Sequence, residues 1–157
     1  MNIKLVVVGK TEEKYLKEGV DIFEKRLKFY IPYEMITIPS LKDTKNLSPQ
    51  MVKEKEGDLI LKQVSKYDKL VLFDETGQEF RSIEYSDFLQ KQMNAGIKTL
   101  CFVVGGAFGF SDEVYKKADL LISISKMTFS HQMIRLMIVE QLYRAFTILR
   151  NEPYHNE

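Results

Sequence analysis

The sequence predicts an α/β domain in which a mostly parallel sheet is covered by helices on both faces. Short, continuously apolar segments alternate along the chain with longer segments whose apolar residues recur every three or four positions. The apolar segments contain few charged residues, which is typical of strands buried on both faces of a parallel sheet. The length of 157 residues suits one domain, so we expect residues 1–157 to form a single unit.

The first half of the chain is predicted to contain two strands and two helices. Residues 3–8 and 33–38 are short segments rich in β-branched residues, which favours strands. Between them, residues 12–29 carry apolar side chains at spacings of four and three, which indicates an amphipathic helix. Ser48 precedes a proline, a pair typical of an N-cap and a first helical turn, so a second helix is predicted over residues 49–65.

The second half of the chain is predicted to contain three strands and three helices. The strands are apolar segments at residues 70–73, 99–104 and 120–124. A turn over residues 74–77 is expected to end the first of these strands. The helices are predicted at residues 83–94, directly after an N-cap at Ser111, and at residues 130–150.

The last predicted helix is apolar around most of its circumference. The core of one chain buries only one stripe of such a helix, so another surface must cover the rest. We expect a second copy of the chain to do so, giving a homodimer in which Ile138 and Leu142 lie in the contact. A central position in the core of a monomer explains the pattern equally well, so both readings stay open.

The charge balance gives no general sign of a nucleic-acid partner. The chain has 23 basic and 22 acidic residues, a net charge of +1. Residues 126–150 differ, because four basic residues stand there against Glu140 alone. This local excess permits a polyanionic partner without requiring one.

A cytoplasmic location without a membrane span is expected. The single cysteine, Cys101, has no partner for a disulfide. The apolar core of the first segment, residues 5–8, is too short for a secretory signal, and no later segment approaches the length of a membrane span. No metal site is expected either, since the two histidines and the cysteine are far apart in the sequence.

Three predicted strands end in segments suited to ligand binding. The third strand ends at Phe73 and is followed by two carboxylates, the fourth leads into a glycine loop from Gly105, and the fifth leads into the hydroxyl-rich residues 125–131. Ligands of open parallel sheets bind at the carboxyl ends of the strands. Apolar walls beside glycines and hydroxyl groups suit an amphipathic, adenosine-like ligand.

The glycine loop also allows a different interpretation. A glycine-rich turn between a strand and a helix is typical of nicotinamide-dinucleotide sites, so a dinucleotide-dependent oxidoreductase is one alternative. Bulky Phe108 and the absence of an acidic residue in residues 120–125, where the ribose would bind, disfavour it. A non-catalytic ribosome-binding module, based on the local basic excess, is the second alternative.

Two histidines are candidates for proton transfer. His131 stands at the start of the last helix, where the positive end of the helix dipole favours the neutral imidazole. In the C-terminal segment, Tyr154 could stack on a base and His155 could exchange a proton. Helix capping by His131 and a frayed terminus are the structural alternatives.

Four segments, at residues 102–106, 125–132, 140–146 and 154–155, resemble the SPOUT-class methyltransferases. Within that class they are similar to the RlmH family, which methylates N3 of a pseudouridine in bacterial 23S rRNA of the large ribosomal subunit. The likeness extends over residues 3–155. It implies a C-terminal trefoil knot, a topology that general connection rules would not suggest.

The resemblance also implies a cofactor, partners and site residues. It implies a homodimer formed through the last helix, with the tail of one subunit near the other's cofactor, and large-subunit rRNA within the assembled ribosome as substrate. Candidate catalytic residues are His131, His155, Arg135 and Tyr154, with Arg135 or Arg144 steadying the base or a phosphate. S-adenosyl-L-methionine is expected to contact Phe73, Gly105, Ile124, Ser125, Lys126, Met127, Thr128 and Phe129.

Overall fold

Five strands form one sheet in the computed structural model, which describes residues 1–156. They are β1 (Asn2–Val8), β2 (Tyr33–Ile38), β3 (Lys69–Glu79), β4 (Thr99–Val104) and β5 (Leu120–Ser123). The strand order is β2-β1-β4-β3-β5, and every neighbouring pair is parallel. The predicted α/β class is therefore confirmed. The knot concerns the threading of the chain and stays a prediction.

The helices cover both faces of the sheet, as a fully parallel sheet requires. They are α1 (Lys14–Leu27), α2 (Pro49–Val64), α3 (Ser82–Asn94), α4 (Asp112–Lys117) and α5 (Met133–Leu149), with a short 3-10 helix at Thr44–Asn46. One core cluster joins the sheet to α1, α3 and α5, and a second joins its other face to α2 and α4. The alternating side chains of β1 supply both clusters.

Two predicted helix starts have the expected capping geometry. The Ser48 hydroxyl accepts a hydrogen bond from the backbone N–H of Met51 at 3.2 Å, with Pro49 in the first turn of α2. The Ser111 hydroxyl accepts one from the N–H of Val114 at 3.4 Å at the start of α4. Each serine satisfies an N–H group that the helix itself leaves unpaired.

The prediction that β3 ends at Phe73 is wrong. Phe73 and Gln78 both pair with Ile122 of β5, so residues 74–77 leave the register as a bulge and the strand then continues. Gly77 makes this return possible, since a Cβ there would lie 2.6 Å from backbone atoms of Ile122. The pairing partner for the second half of β3 is distant in sequence, which is why the local pattern suggested only a turn.

Helix α5 is the central helix of its layer and packs between α1 and α3. Ile138 and Leu142 are fully buried within the chain's own core. The expectation that these two residues lie in a contact with a second copy is therefore wrong. The opposite side of the helix, with Met133, Met137 and Ile148, is only partly buried. That side is the part of α5 that the core of the chain leaves partly uncovered.

Three further findings concern the length of the helices, potential metal ligands and the single cysteine. In the part of the chain that the structure describes, no helix is long and apolar enough to cross a membrane. Within residues 1–156, no three His, Cys, Asp or Glu side chains are grouped so that they could hold a metal ion. Cys101 is buried in β4, and this burial raises the pKa of its thiol to about 12. The thiol is thus protonated and shielded at neutral pH.

Candidate active site at the carboxyl edge of the sheet

A cavity of about 630 Å³ lies at the carboxyl ends of β3, β4 and β5. We call it the edge cavity, lined by residues 73–76, 104–110, 122–125, 127–131, Tyr115 and Ile134. The three strands are neighbours in the sheet, in the order β4-β3-β5, so the segments that follow them converge. The volume falls within the range of roughly 300–1,000 Å³ that is usual for cofactor and ligand sites.

The structure brings together all but one of the residues expected to contact S-adenosylmethionine. Those that line the edge cavity are Phe73, Gly105, Ile124, Ser125, Met127, Thr128 and Phe129. The remaining residue, Lys126, is absent from the lining. Its Nζ lies 3.9 Å from a carboxylate oxygen of Glu79, and its side chain is largely exposed. The convergence predicted from the strand ends is thus found, with Lys126 turned away.

Hydrogen bonds fix the segment after β5 in place. The Ser123 hydroxyl donates to the carbonyl of Ser125 at 2.8 Å, and the Ser125 hydroxyl accepts from the N–H of Met127 at 2.9 Å. The Thr128 hydroxyl donates to the carboxylate of Glu75 at 3.2 Å, which joins this segment to β3. The Met127 side chain is 78% exposed at the cavity, so the cavity has an uncovered apolar residue on its wall.

Glycines let the loop after β4 pack closely. The N–H of Gly109 donates to the carbonyl of Gly106 at 3.1 Å, and Gly109 has a φ of +81° that favours glycine. A Cβ at Gly105 would lie 3.3 Å from the backbone of Gly109, and one at Gly106 would collide with the Glu56 carboxylate. Glu56 lies behind the loop, and burial raises the pKa of its carboxyl group. The loop backbone therefore forms one wall of the cavity.

Asp74 supplies a fixed negative charge in the cavity wall. Its carboxylate accepts hydrogen bonds from the Tyr115 hydroxyl at 2.5 Å and from the backbone N–H and hydroxyl of Thr76 at 2.9 and 2.5 Å. Burial acts to raise the pKa of Asp74, but these hydrogen bonds outweigh it and lower the pKa below its usual value. Asp74 is therefore ionised at neutral pH.

The role of Tyr115 was missed in the sequence. Its hydroxyl reaches Asp74 from α4, across 41 positions in the chain, and its ring lines the edge cavity. Burial, together with the bond to Asp74, raises the pKa of the Tyr115 hydroxyl. The available signal was its place one turn after the Ser111 cap, on the helix that directly follows the glycine loop.

His131 lines the edge cavity directly before α5. Burial lowers the pKa of its imidazole, and the positive charge of Arg135 lowers it further, while Glu12 acts in the opposite direction. The Ser130 hydroxyl accepts the N–H of Met133 at 3.0 Å, which caps the first turn beside it. The neutral imidazole predicted from the sequence is therefore favoured, mainly through burial.

Arg135 lies elsewhere than expected. Its side chain is fully buried, and its guanidinium donates to the carbonyls of Val8, Gly9 and His131 at 2.7, 2.8 and 3.0 Å. It also donates to the Thr11 hydroxyl at 3.1 Å. The expectation that Arg135 steadies a base or a phosphate therefore needs correction, because no part of this side chain is exposed to a substrate.

The C-terminal segment is held on α5 and lines neither the edge cavity nor the smaller cavity beside it. The Tyr154 hydroxyl donates to the Glu140 carboxylate at 3.0 Å, and its ring lies 4.7 Å from the Arg144 guanidinium. Arg144 donates to Glu140 at 2.5 Å and lies 3.4 Å from Nδ1 of His155. Within residues 1–156, the buried Nε2 of His155 has no hydrogen-bond partner. Tyr154 and His155 are thus together, but apart from His131.

Comparisons with known proteins agree with this architecture. A protein of Flavobacterium johnsoniae named "Ribosomal RNA large subunit methyltransferase H" is 56% identical over all 157 residues of both chains. A protein of the same name from Flavobacterium psychrophilum is 57% identical over the same span. A solved structure of a probable methyltransferase from Bordetella pertussis has a TM-score of 0.57 at 10% identity, covering 92% of this chain and 96% of that one, which shows a shared fold.

The family model described as "Predicted SPOUT methyltransferase" matches residues 1–155. The match includes the three segments that line the edge cavity as well as α5 and the C-terminal Tyr154 and His155. Together with relatives that are more than half identical along the whole length, it identifies the family without relying on the glycine loop alone. The chain belongs to the SPOUT methyltransferase family.

Proposed function

We propose that this protein transfers a methyl group from S-adenosyl-L-methionine to N3 of a pseudouridine in 23S rRNA of the large ribosomal subunit. The observation that carries the proposal is the convergence of three loops on the edge cavity, in a chain that belongs to a methyltransferase family. The relatives named as large-subunit rRNA methyltransferases support the choice of substrate. The site of action would be the cytoplasm, where ribosomes assemble.

The edge cavity fits the methyl donor chemically. Phe73, Ile122 and Phe129 provide apolar surfaces for an adenine ring, while the loop after β4 provides backbone groups for its polar edge. S-adenosylmethionine, when bound, supplies an electrophilic methyl carbon on a positively charged sulfur. The carboxylates of Asp74 and Glu75 line the same cavity and favour a cationic ligand.

The acceptor needs a group that takes its N3 proton. The neutral imidazole of His131 lines the edge cavity and can accept that proton or a hydrogen bond. Enclosure by Met127 and Phe129 would exclude water from the reacting atoms. Alignment of donor and acceptor would supply most of the rate enhancement, because methyl transfer is an in-line displacement.

We further propose that the active unit is a homodimer in which one subunit's tail completes the other's cavity. In its own chain the tail packs on α5, where Tyr154 and His155 line neither the edge cavity nor the smaller cavity beside it. Among the described residues, Nε2 of His155 is buried without a hydrogen-bond partner, so it would take part only if the tail moves when a second subunit docks on the partly buried outer side of α5. Tyr154 could then stack on the target base and His155 could share the proton-transfer role.

The proposal is tested by incubating the protein with labelled S-adenosylmethionine and ribosomes that lack the modification. We expect label in 23S rRNA and, after digestion to nucleosides, a mass and retention time matching N3-methylpseudouridine. Free rRNA, isolated large subunits and assembled ribosomes are compared in parallel, and the assembled ribosome is expected to be the best substrate. Label at a different nucleoside would overturn the assigned atom, and transfer to none of the three would overturn the activity.

The two alternatives raised by the sequence predict different binding. An oxidoreductase would bind NAD(H) tightly and S-adenosylmethionine not at all in calorimetry. A non-catalytic ribosome-binding module would bind RNA normally but no methyl donor. The methyltransferase proposal requires donor binding that depends on Gly105 and Asp74, two residues of the edge cavity.

A further inference from the structure

The Gln132 side chain connects the start of α5 to the loop after β1. Its amide oxygen accepts the backbone N–H of Glu12 at 2.9 Å, and its amide nitrogen donates to the carbonyl of Lys10 at 2.8 Å. One side chain thus satisfies a donor and an acceptor of a loop that lies about 120 positions away in sequence. Gln132 directly follows His131, which lines the edge cavity.

Arg135 joins the same two segments from inside the core. Its guanidinium binds the carbonyls of Val8 and Gly9 and the Thr11 hydroxyl on one side. On the other side its Nε donates to the carbonyl of His131, one turn earlier in the same region. The peptide unit that carries the candidate proton acceptor is therefore tied directly to the end of β1.

Burial of the Arg135 guanidinium is an inefficient way to stabilise the fold. The side chain is fully buried, and among the described residues no carboxylate oxygen lies within salt-bridge distance of its guanidinium. Only carbonyl and hydroxyl oxygens of the described residues hydrogen-bond this buried cation, and the negative charge of Glu12 acts on it from beyond salt-bridge distance. Burial of such a cation carries a large desolvation penalty, and an apolar side chain at such a site is often at least as stabilising. The planar array of donors does, however, fix several oxygens in one geometry.

We propose that Gln132 and Arg135 form a clamp that positions His131 over the edge cavity by fastening the start of α5 to residues 8–12. They are positioning residues, since neither lines the edge cavity. This inference rests on the proposed methyl transfer, in which His131 faces the acceptor. The clamp ties the geometry of His131 to the end of β1, a strand whose other residues are far from the chemistry.

The variant Gln132→Met tests the clamp, because it removes both amide hydrogen bonds with little change in side-chain length or charge. Gln132 is only partly buried, so the variant is expected to fold. We expect kcat to fall by about tenfold or more, since small misplacements of reacting groups have large effects on rate. The Kd for S-adenosylmethionine, measured by calorimetry, should stay within about twofold of wild type, because the donor loops are untouched.

NMR of the His131 ring gives a readout that does not depend on activity. In Gln132→Met we expect the His131 signals to shift or broaden, and their titration to move toward the ordinary histidine value. Arg135 and Glu12 are the charged groups that act on this ring, and both belong to or adjoin the clamp. The matched control is Gln90→Met, which removes a glutamine hydrogen bond to Asn94 on α3 and should change neither kcat nor the His131 signals.

A second variant, Thr11→Val, removes one hydroxyl partner of Arg135 and should lower kcat by a few-fold with the donor Kd unchanged. Wild-type kcat and unchanged His131 signals in Gln132→Met and Thr11→Val would overturn the clamp. Equal losses of Tm, donor affinity and kcat would also overturn it, because the two residues would then serve stability alone. Absence of methyl transfer by the wild type would overturn the proposed function instead, while the NMR comparison would still test the positioning of His131.

Discussion

The edge cavity and the C-terminal tail differ in how completely one chain builds them. The cavity is assembled within a single chain, where neighbouring strand ends bring their loops together and Asp74, Tyr115 and Thr128 fix its walls. The tail residues Tyr154 and His155 are also held by side-chain contacts, but on α5, where they line neither the edge cavity nor the smaller cavity. The edge cavity is thus formed by one chain alone, whereas the tail has a fixed position outside that cavity.

A segment can therefore have a fixed position in a single chain without forming part of a complete binding site there. In a single chain the tail is kept in place by the hydrogen bond that the Tyr154 hydroxyl donates to Glu140 and by the contact between the Arg144 guanidinium and His155. Within residues 1–156, however, the buried Nε2 of His155 has no hydrogen-bond partner. A second subunit docked on the outer side of α5 would bring a tail to each cavity, as expected for a symmetric dimer. Substitutions at the subunit contact or in the tail should then lower methyl transfer to the acceptor, while binding of the methyl donor in the cavity should change little.

The largest effect is expected from Met137→Asp, on the partly buried outer side of α5. A charge buried at a subunit contact without a partner costs several kcal/mol, so the variant should be monomeric by light scattering. Activity should fall by at least about 100-fold, while donor binding by calorimetry should be nearly unchanged. Asp87→Asn on exposed α3 is the control and should remain dimeric and active. A monomeric variant with full activity would show that one chain suffices.

Mixing two inactive variants tests whether the tail of one chain completes the cavity of the other. Gly105→Val places a side chain against the backbone of Gly109 in the donor loop, whereas His155→Ala damages only the tail. Each variant alone should be almost inactive. After joint unfolding and refolding, one intact composite site forms in each mixed dimer, so activity should recover to about a quarter of wild type. No recovery, despite mixed dimers demonstrated by differential tags, would mean that each chain uses its own tail.

A smaller effect is expected when the charge of the cavity wall is removed. Asp74→Asn keeps the shape of the side chain but removes the negative charge that Thr76 and Tyr115 stabilise. The affinity for S-adenosylmethionine should fall by about tenfold, which corresponds to roughly 1.4 kcal/mol. Binding of S-adenosylhomocysteine, which lacks the sulfonium charge, should weaken less. Equal losses for both ligands in calorimetry would indicate a role in shape and not in charge selection.

The smallest effect concerns pH. The pKa of His131 lies below the ordinary value of 6.5, so kcat should be level from about pH 8 to 6.5 and fall only at lower pH. Since the folded state disfavours the protonated ring, this residue's contribution to stability is present above pH 6.5 and is lost as the pH falls through the folded-state pKa. In His131→Gln the acid limb of the kcat profile should disappear. A limb centred above 6.5 would contradict the assignment.

The sequence predicted those parts of the molecule that depend on local pattern. The strands appear where continuous apolar segments were found, and the caps at Ser48 and Ser111 form because serine hydroxyls satisfy the free N–H groups of a first turn. The cavity followed from strand ends, because parallel strands that are neighbours in the sheet present their carboxyl ends together. The caps required no knowledge of distant contacts, whereas the cavity required that the three strands be neighbours in the sheet.

The misses all involve partners far along the chain. The second half of β3 exists because Gln78 pairs with Ile122, and no local signal marks that pairing. Arg135 resembled a surface arginine suited to a polyanion, since its partners are carbonyl groups at Val8 and Gly9, which every residue possesses and no pattern reveals. Lys126 was expected at the cofactor with its neighbours, but its side chain points to Glu79.

The central position of α5 has a consequence for how the protein folds during its synthesis. The helix that packs between α1 and α3 follows every other described helix and strand in chain order, so it is synthesised after both of its neighbours. Until α5 has been synthesised, the nascent chain lacks the helix that packs between α1 and α3, so this layer of the core is completed late. Truncation of even the final helix should therefore yield chains that aggregate or are degraded, with no shorter functional form.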